Sequence, residues 1–185
     1  MHRHFKLHKP YGYVSQFVCP VKRKKVLGEL YDFPQGTMAI GRLDEDSEGL
    51  LLLTTDGAVS YRICSSKTEK EYYAQVDGIV TEEAIEKLQN GVSISYQGEI
   101  YITKPAKAFR ITEVPNFPER GKRIRDERHG PSSWVSITLT EGKFRQVRKM
   151  TAAVGFPTLR LVRIRIGEIY LAEMPSGSVE ELMDL

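Results

Sequence analysis

The chain has 185 residues, of which 41% are hydrophobic and 28% are charged, and its formal net charge is +3. These values favour a globular protein with its own core, built as one domain or as one domain in two lobes. The apolar run at residues 50–53 is too short to cross a bilayer, and the N-terminal segment MHRHFKLHKP lacks the apolar region of a signal peptide. We therefore expect a cytoplasmic protein without a membrane partner.

The cysteine content also indicates a reducing compartment. Cys19 and Cys64 are the two cysteines of the chain, and neither belongs to a pair spaced for zinc. We expect buried or incidental thiols and no bound metal.

The first half of the chain predicts short strands and helices separated by turns. Thr81 is the expected N-cap of its clearest helix, which Asn90 and Gly91 should end. The expected strands are residues 5–17, interrupted at Pro10 and Gly12, and residues 38–42, 50–54 and 71–76; the expected helices are residues 26–31, 58–64 and 81–89.

The second half predicts more strands than helices. The expected elements are a hairpin at residues 92–102, strands at 106–114 and 134–140, a helix at 143–154 and paired strands at 159–171. Residues 115–133 contain three prolines and many charges, which indicates a long, exposed, basic loop. Because the strands show no regular alternation with helices, the predicted class is α+β with a largely antiparallel sheet.

The segment GRLDEDSEGLLLLTT places three acidic residues, Asp44, Asp46 and Glu48, directly before four leucines. Their spacing matches the first positions of a calcium-binding loop, but Thr55 stands where that loop needs a glutamate, and both flanks look like strands. A magnesium site and a solvated turn remain open. The last alternative is a catalytic carboxylate kept ionised by a cation.

Candidate cations occur about a hundred residues later, in EGKFRQVRKM. Arg145, Arg148 and Lys149 have i, i+3, i+4 spacing, which would place them on one face of a helix, while Phe144, Val147 and Met150 would form a buried face. Residues 143–170 hold seven basic residues against one acidic residue. This imbalance favours nucleic acid as a partner, although a solvated surface is an equal alternative.

Three segments together carry a family resemblance: GRLDEDSEGLLLLTTDG, KEYYAQVDG and EGKFRQVRKMTAAVGFPTLRLVRIRIGEIYL. In order and spacing they resemble the bacterial RNA pseudouridine synthases of the RsuA type, and the likeness covers residues 5–174. Among these, the chain looks most like the members that modify 23S ribosomal RNA near the peptidyl-transferase region and lack an N-terminal S4 domain. We expect residues 1–185 to form a single catalytic domain of this kind.

The resemblance implies a curved, mainly antiparallel sheet in two lobes, with flanking helices and a catalytic cleft between the lobes. It also implies isomerisation of uridine to pseudouridine without a cofactor or metal. Asp44 matches the essential aspartate, which acts either as a nucleophile or as a base. Tyr72 matches the tyrosine that stacks on the flipped base, while Tyr73 should face the opposite way. Arg148 best matches the basic residue that pairs with the aspartate, with Arg145 as the alternative.

The predicted partner is 23S ribosomal RNA or a precursor of the large subunit, bound by a monomer. A non-catalytic RNA or ribosome binder on the same fold is the rival hypothesis. The target uridine must leave its stack to reach Asp44, and phosphate contacts would offset that cost. The expected RNA contacts are Arg42, Lys143, Arg145, Lys149, Arg163 and Arg165, with Arg123 and Arg125 in the basic loop.

Overall fold

The computed structural model describes residues 1–65 and 67–185. Its strands are β1 (His4–Lys9), β2 (Met38–Ile40), β3 (Glu48–Thr54), β4 (Lys70–Asp77), β5 (Ser93–Tyr96), β6 (Glu99–Ile102), β7 (Lys107–Ile111), β8 (Ser132–Leu139), β9 (Thr158–Ile166), β10 (Ile169–Tyr170) and β11 (Val179–Leu182). Its α-helices are α1 (Gly57–Ser65), α2 (Glu82–Asn90) and α3 (Gln146–Ala153), and single 3-10 turns occupy Leu27–Glu29 and Glu127–His129. None of these helices is long and apolar enough to cross a membrane.

The strands of the described chain form a nine-stranded sheet and a separate β5–β6 hairpin. The sheet order is β11-β1-β3-β9-β4-β8-β7, with β10 beside β9 and β2 beside β3. Within this sheet, β3 and β9 pair in parallel and the other neighbouring strands pair antiparallel. The predicted α+β class with a mainly antiparallel sheet is confirmed.

The four leucines after the acidic turn form the centre of β3. Leu50 and Leu52 pack into one hydrophobic cluster, and Leu51 and Leu53 pack into another on the opposite face. Successive side chains of a strand point to opposite faces, so an uninterrupted leucine run indicates a strand that is buried on both sides. This double burial explains why so much apolar sequence directly follows the acidic residues.

β3 meets β9 so closely that only a glycine fits at the contact. Gly49 lies opposite Arg163 in the parallel pair and has a φ of +109°. A Cβ at this position would lie 2.3 Å from the carbonyl oxygen of Arg163. The contact joins the first half of the chain to the second, next to the acidic turn.

A third cluster lies between β4, β8, α2 and α3. As predicted, Thr81 caps α2 by accepting a hydrogen bond from the Ala84 amide at 3.2 Å. Ala84, Ile85 and Leu88 form the buried stripe of this helix. This third cluster fixes the position of α3. Arg145 at the N-cap of α3 and Arg148 in its first turn reach the acidic turn.

Several element boundaries differ from the sequence predictions. The first strand ends at Lys9, because Pro10 cannot donate to a ladder. In place of the helix predicted at residues 26–31, the chain forms a single 3-10 turn at Leu27–Glu29. β11 was not predicted; it pairs with β1 at the edge of the sheet. The helix predicted from residue 143 begins at Gln146.

The basic loop contacts the rest of the protein at two points. Phe117 contacts the rings of Tyr73 and Trp134, and Arg125 forms an ion pair with Asp77. The side chains of Arg123 and Arg128 are about four-fifths exposed, at 80% and 83%. The expected exposure is therefore seen at Arg123 and Arg128 and not at Phe117 or Arg125.

Candidate active site

Asp44 lies in the turn between β2 and β3, which backbone and side-chain hydrogen bonds fix in place. The Ser47 amide donates to the Asp44 carbonyl at 3.0 Å, and the Gly12 amide donates to the Glu45 carbonyl at 2.8 Å. The Ser15 hydroxyl donates to the Leu43 carbonyl at 2.7 Å and accepts from the Leu43 amide at 3.0 Å. The N-terminal segment thus fixes the turn on both sides of Asp44.

Arg145 supplies the cation that faces this turn. Its guanidinium donates to both carboxylate oxygens of Asp46 at 2.9 Å, and its Nη1 lies 3.7 Å from Oδ2 of Asp44. The prediction that Arg148 pairs with Asp44 is therefore corrected in favour of the alternative, Arg145. This two-pronged geometry fixes the orientation of the guanidinium as well as its charge.

Arg145 does not lie on the helical face that its spacing predicted. It is the N-cap of α3 and has a φ of +53°, in the left-handed region that residues with a side chain rarely adopt. This conformation directs its side chain to the acidic turn instead of along the helix. Strained backbone of this kind often occurs at functional sites.

Arg148 supports the backbone of the turn. Its Nη2 donates to the Asp46 carbonyl at 2.8 Å and to the Ser47 hydroxyl at 3.1 Å, and it lies 3.6 Å from the Asp46 carboxylate. Burial lowers the pKa of this guanidinium, although the Asp46 charge opposes the effect. We infer that Arg148 holds the shape of the turn, while Arg145 faces the carboxylate of Asp44.

The two aspartates of the turn have pKa values shifted in opposite directions. Burial raises the pKa of Asp44, and the charge of Arg145 only partly offsets this. For Asp46, burial acts the same way, but the hydrogen bonds from Arg145 and the charge of Arg148 outweigh it and lower the pKa. Asp46 is therefore the hydrogen-bonded partner of the arginines, and Asp44 is the more basic of the two carboxylates.

Glu48 is the third acidic residue of the segment, and it pairs with an arginine of β9. It is buried at the start of β3, where both of its oxygens accept hydrogen bonds from Arg160 at 2.9 and 2.8 Å. Arg160 also donates to the Pro118 carbonyl at 2.7 Å. Strands rather than helices flank the turn, which contradicts the calcium-loop alternative.

A cleft of about 860 Å³ opens above Asp44. One wall is formed by the acidic turn and the end of α1, and the other by residues 139–147. Tyr72 of β4 lines the cleft, and its ring centroid lies 5.9 Å from the guanidinium carbon of Arg163. Tyr73 contacts Phe117 on the opposite face of the strand, as the alternation of the strand predicted.

Two arginines predicted to bind RNA are engaged inside the protein. Arg163 is 3% exposed, and its Nε donates to the Leu50 carbonyl at 2.8 Å. Arg165 lies between Glu71 and Glu69, at 2.9 and 3.1 Å. These contacts correct the expectation that both present their charge to phosphates, and they place Arg163 in the wall of the cleft.

Other predicted RNA contacts lie around the mouth of the cleft. Arg42 is exposed there, and the Lys143 ammonium lies 4.8 and 5.0 Å from the ring centroids of Tyr96 and Tyr101. Lys149 donates to the Ser95 carbonyl at 2.7 Å. Arg42, Lys143 and Arg145 thus surround one opening, whereas Arg123 and Arg125 lie on the basic loop.

Sequence reasoning missed a buried lysine beneath the acidic turn. Lys9 is 0% exposed, and its ammonium donates to the carbonyls of Pro10 at 2.9 Å and Tyr13 at 2.7 Å. Burial lowers its pKa to about 8, while the charges of Glu48 and Asp44 oppose that shift. The sequence offers one weak indication that Lys9 is buried, namely its position at the end of an alternating strand pattern and directly before Pro10.

Comparison with known proteins gives consistent results. The profile of the family described as RNA pseudouridylate synthase matches residues 3–153. A protein of Vibrio parahaemolyticus named ribosomal large subunit pseudouridine synthase E is 42% identical over 176 residues, which cover 94% of this chain and 71% of the relative. A relative of the same name from Xanthomonas axonopodis pv. citri is 42% identical over 165 residues, covering 88% and 84%.

Among solved structures, one described as a pseudouridylate synthase superposes with a TM-score of 0.79 at 30% sequence identity, covering 99% of this chain and 71% of the other. The fold expected from the resemblance is therefore confirmed. From its sequence and its fold alike, this chain belongs to the RNA pseudouridylate synthase family and is an RNA pseudouridine synthase.

Proposed function

We propose that this enzyme isomerises one uridine of 23S ribosomal RNA, near the peptidyl-transferase region, with Asp44 as the catalytic carboxylate. The observation that carries the proposal is the position of Asp44 in a cleft of about 860 Å³, with Arg145 at 3.7 Å and Tyr72 in the same cleft. The names of the relatives at about 42% identity support a substrate in the large ribosomal subunit.

The reaction exchanges one glycosidic bond for another. The bond between C1′ and N1 of the uridine breaks, the uracil turns while bound, and C5 forms the new bond to C1′. The proton then leaves C5, and N1 gains one, so the product is an isomer of the substrate. Asp44 takes part either by attack on the nucleotide or by abstraction of a ribose proton.

The surrounding residues divide the remaining tasks. Arg145 keeps Asp44 ionised in a partly dry site, against the effect of burial on its pKa. Tyr72 provides a ring on which the uracil stacks. Arg148 holds the backbone of the turn through the Asp46 carbonyl. Because Asp44 must be ionised, activity should fall as the pH drops through its raised pKa.

RNA would reach the cleft along its basic mouth. Extrusion of a nucleotide costs a few kcal/mol, which phosphate contacts by Arg42, Lys143 and Lys149 would offset. Exposed cations of the basic loop, such as Arg123, would add contacts further from the cleft. We expect a cytoplasmic monomer that acts on 23S ribosomal RNA or on a precursor of the large subunit.

The experiment that tests this proposal is tritium release from 23S ribosomal RNA labelled at C5 of uridine. The wild type should release tritium, whereas Asp44→Asn should not release it and should still bind the RNA. Asp32→Asn, a change at an exposed carboxylate outside the cleft, is the matched control and should behave as the wild type.

Wild-type turnover in Asp44→Asn would contradict the assignment of the carboxylate. If the wild type released no tritium from naked RNA, the same measurement on precursor particles of the large subunit would follow. Failure on both substrates, with RNA binding intact, would favour the rival hypothesis of a non-catalytic binder.

A further inference from the structure

Phe144 is a large apolar side chain that the fold leaves in solvent. Its helical spacing with Val147 and Met150 predicted one shared buried face. Val147 and Met150 are 4% and 0% exposed, but Phe144 is 67% exposed. It lines the mouth of the cleft that holds Asp44. The prediction for Phe144 was therefore wrong, and core packing does not account for this residue.

The outward position of Phe144 follows from the contacts that build the active site. The Lys143 amide donates to the side-chain oxygen of Gln146 at 2.9 Å, and the Gln146 amide donates to the Lys143 carbonyl at 3.1 Å. Between them, Arg145 has a left-handed backbone conformation, and its side chain binds Asp46. Phe144 thus projects from a turn whose shape is fixed on both sides, next to the arginine that faces Asp44.

One cation lies beside the exposed ring, and a second belongs to the residue before it. The Lys149 ammonium lies 5.5 Å from the centroid of the Phe144 ring, whereas the Lys143 ammonium lies over the rings of Tyr96 and Tyr101. A partner that covers this surface has to accommodate an aromatic ring and positive charges together. An unpaired nucleotide does both, because its base offers a flat face for stacking and its phosphates attract the lysines. An apolar protein surface would cover the lysine charges without offering an opposite charge.

We propose that Phe144 stacks on the nucleobase next to the target uridine, while Lys143 and Lys149 bind the adjoining phosphates. The inference rests on the proposed function and adds a binding residue to it. A uridine that leaves its stack exposes the base beside it, and a ring at the mouth of the cleft can take the place of the lost neighbour. Phe144 then favours the open RNA conformation from which Asp44 can act.

The test compares Phe144→Ala and Phe144→Tyr with Phe109→Ala. Phe109 is 52% exposed on β7 and does not line the cleft, so its substitution controls for the loss of an exposed phenyl ring. Affinity for 23S ribosomal RNA is measured in the Asp44→Asn background, where turnover does not interfere. Tritium release is measured with Asp44 present, and melting temperature reports on folding.

Phe144→Ala should weaken RNA binding roughly 5- to 150-fold, the range found for single base–aromatic stacks. The rate at saturating RNA should stay within about twofold of the wild type, because a lost stack that is not part of the chemistry raises KM without lowering kcat. Phe144→Tyr should retain most of the affinity, and Phe109→Ala all of it. The melting temperature of Phe144→Ala should stay close to that of the wild type, because an exposed ring contributes little to the core.

Unchanged affinity in Phe144→Ala, or an equal loss of affinity in Phe109→Ala, would contradict stacking by Phe144. Tritium release by the wild type would then still support the proposed function. Conversely, weaker RNA binding by Phe144→Ala, without tritium release from the wild type on any ribosomal substrate, would support stacking and remove the proposed function. The two hypotheses therefore fail separately.

Discussion

The acidic turn and the basic loop are both rich in charge, but the protein treats their charges in opposite ways. In the turn, Asp46 and Glu48 form two-pronged ion pairs with arginines from the second half of the chain. In the loop, Arg123 and Arg128 pair with Asp126, a neighbour in sequence, and remain mostly exposed. The charges of the turn are therefore paired over long sequence separations, and the pair of Glu48 and Arg160 is also buried, whereas Arg123 and Arg128 have a partner close in sequence and stay in solvent.

The energetic consequence follows from the dielectric around each pair. Removing one partner of a buried pair leaves the other charge without compensation, which is strongly destabilising. Exposed pairs contribute little, because water screens both charges before and after a substitution. The two regions should therefore respond very differently to the same chemical change.

The largest expected effect is on the buried pair of Glu48 and Arg160. Glu48→Gln should lower the free energy of unfolding by about 3–5 kcal/mol, because Arg160 would keep its charge in a site that is almost dry. Glu181→Gln is the matched control, since Arg3 holds Glu181 in the same two-pronged geometry on the surface, where the side chains are 43% and 46% exposed. Denaturant unfolding of both variants is the measurement, and similar losses would contradict the comparison.

Next in size is the pH dependence that buried Lys9 imposes on stability. Its pKa is lowered from 10.5 to about 8, so between these values the unfolded chain binds more protons than the folded one. Stability attributable to Lys9 should therefore rise as the pH increases from about 8 to 10.5, by up to about 3 kcal/mol. Lys9→Met removes this titration.

The measurement is the difference in unfolding free energy between wild type and Lys9→Met at several pH values. The difference should shift in favour of the wild type across this range, because only the wild type is relieved of a buried charge. Lys6→Met serves as the control, because Lys6 lies on β1 like Lys9 but pairs with Glu180 of β11. A constant difference between wild type and Lys9→Met would show that Lys9 is not neutralised in the fold.

The third prediction separates the arginines that face the turn. Arg145→Leu should reduce kcat by about 100-fold, because the carboxylate of Asp44 loses the cation that opposes its burial. The pKa of Asp44 should then rise further, so the acidic limb of the pH–rate profile should move to higher pH. Arg148→Leu should shift this limb less and should lower the melting temperature more, because its main contacts are to the Asp46 carbonyl and Ser47.

Equal shifts of the acidic limb in the two variants would contradict this division of roles. Arg145→Lys should restore part of the rate, since the charge returns without the two-pronged geometry. That partial recovery distinguishes an electrostatic role of Arg145 from a purely structural one.

The sequence predicted the secondary-structure elements and turns that depend on neighbouring residues. The leucine run identified β3, Thr81 identified the start of α2, and the motif around Asp44 identified the acidic turn. It did not predict that Arg145 lies outside the helix, because helical spacing assumes that the backbone is helical throughout. Arg145 adopts a left-handed conformation, and its side chain binds Asp46, which lies 99 residues earlier and outside any local pattern.

Ion pairs between residues far apart in sequence could not be predicted either, because they also depend on the tertiary structure. Glu48 and Arg160 are 112 residues apart, and the sequence around neither residue indicates that it is buried. Lysine is usually exposed, and the ammonium of Lys9 is hydrogen-bonded to backbone carbonyls that no side-chain pattern reveals. Burial of charge is a tertiary property, so the spacing of residues along the sequence did not reveal it at these positions.

The smallest expected effect concerns the basic loop, where we predict a change in salt dependence and none in catalysis. Deletion of residues 121–130 removes three exposed cations, Lys122, Arg123 and Arg128, together with Arg125, which is paired with Asp77. It should reduce the slope of log affinity against log salt by about 2, at about 0.7 for each phosphate contact of the three exposed cations. The rate at saturating RNA should not change, because none of these residues lines the cleft.

A variant with all three cations replaced by glutamine keeps the length of the loop and should give the same slope as the deletion. Lys143→Gln, at the mouth of the cleft, should reduce the slope by about 0.7 on its own. If the triple variant kept the wild-type slope while Lys143→Gln reduced it, the phosphate contacts would be confined to the cleft. The exposed charge of the loop would then not serve RNA binding, although the comparison of buried and exposed pairs would still hold for stability.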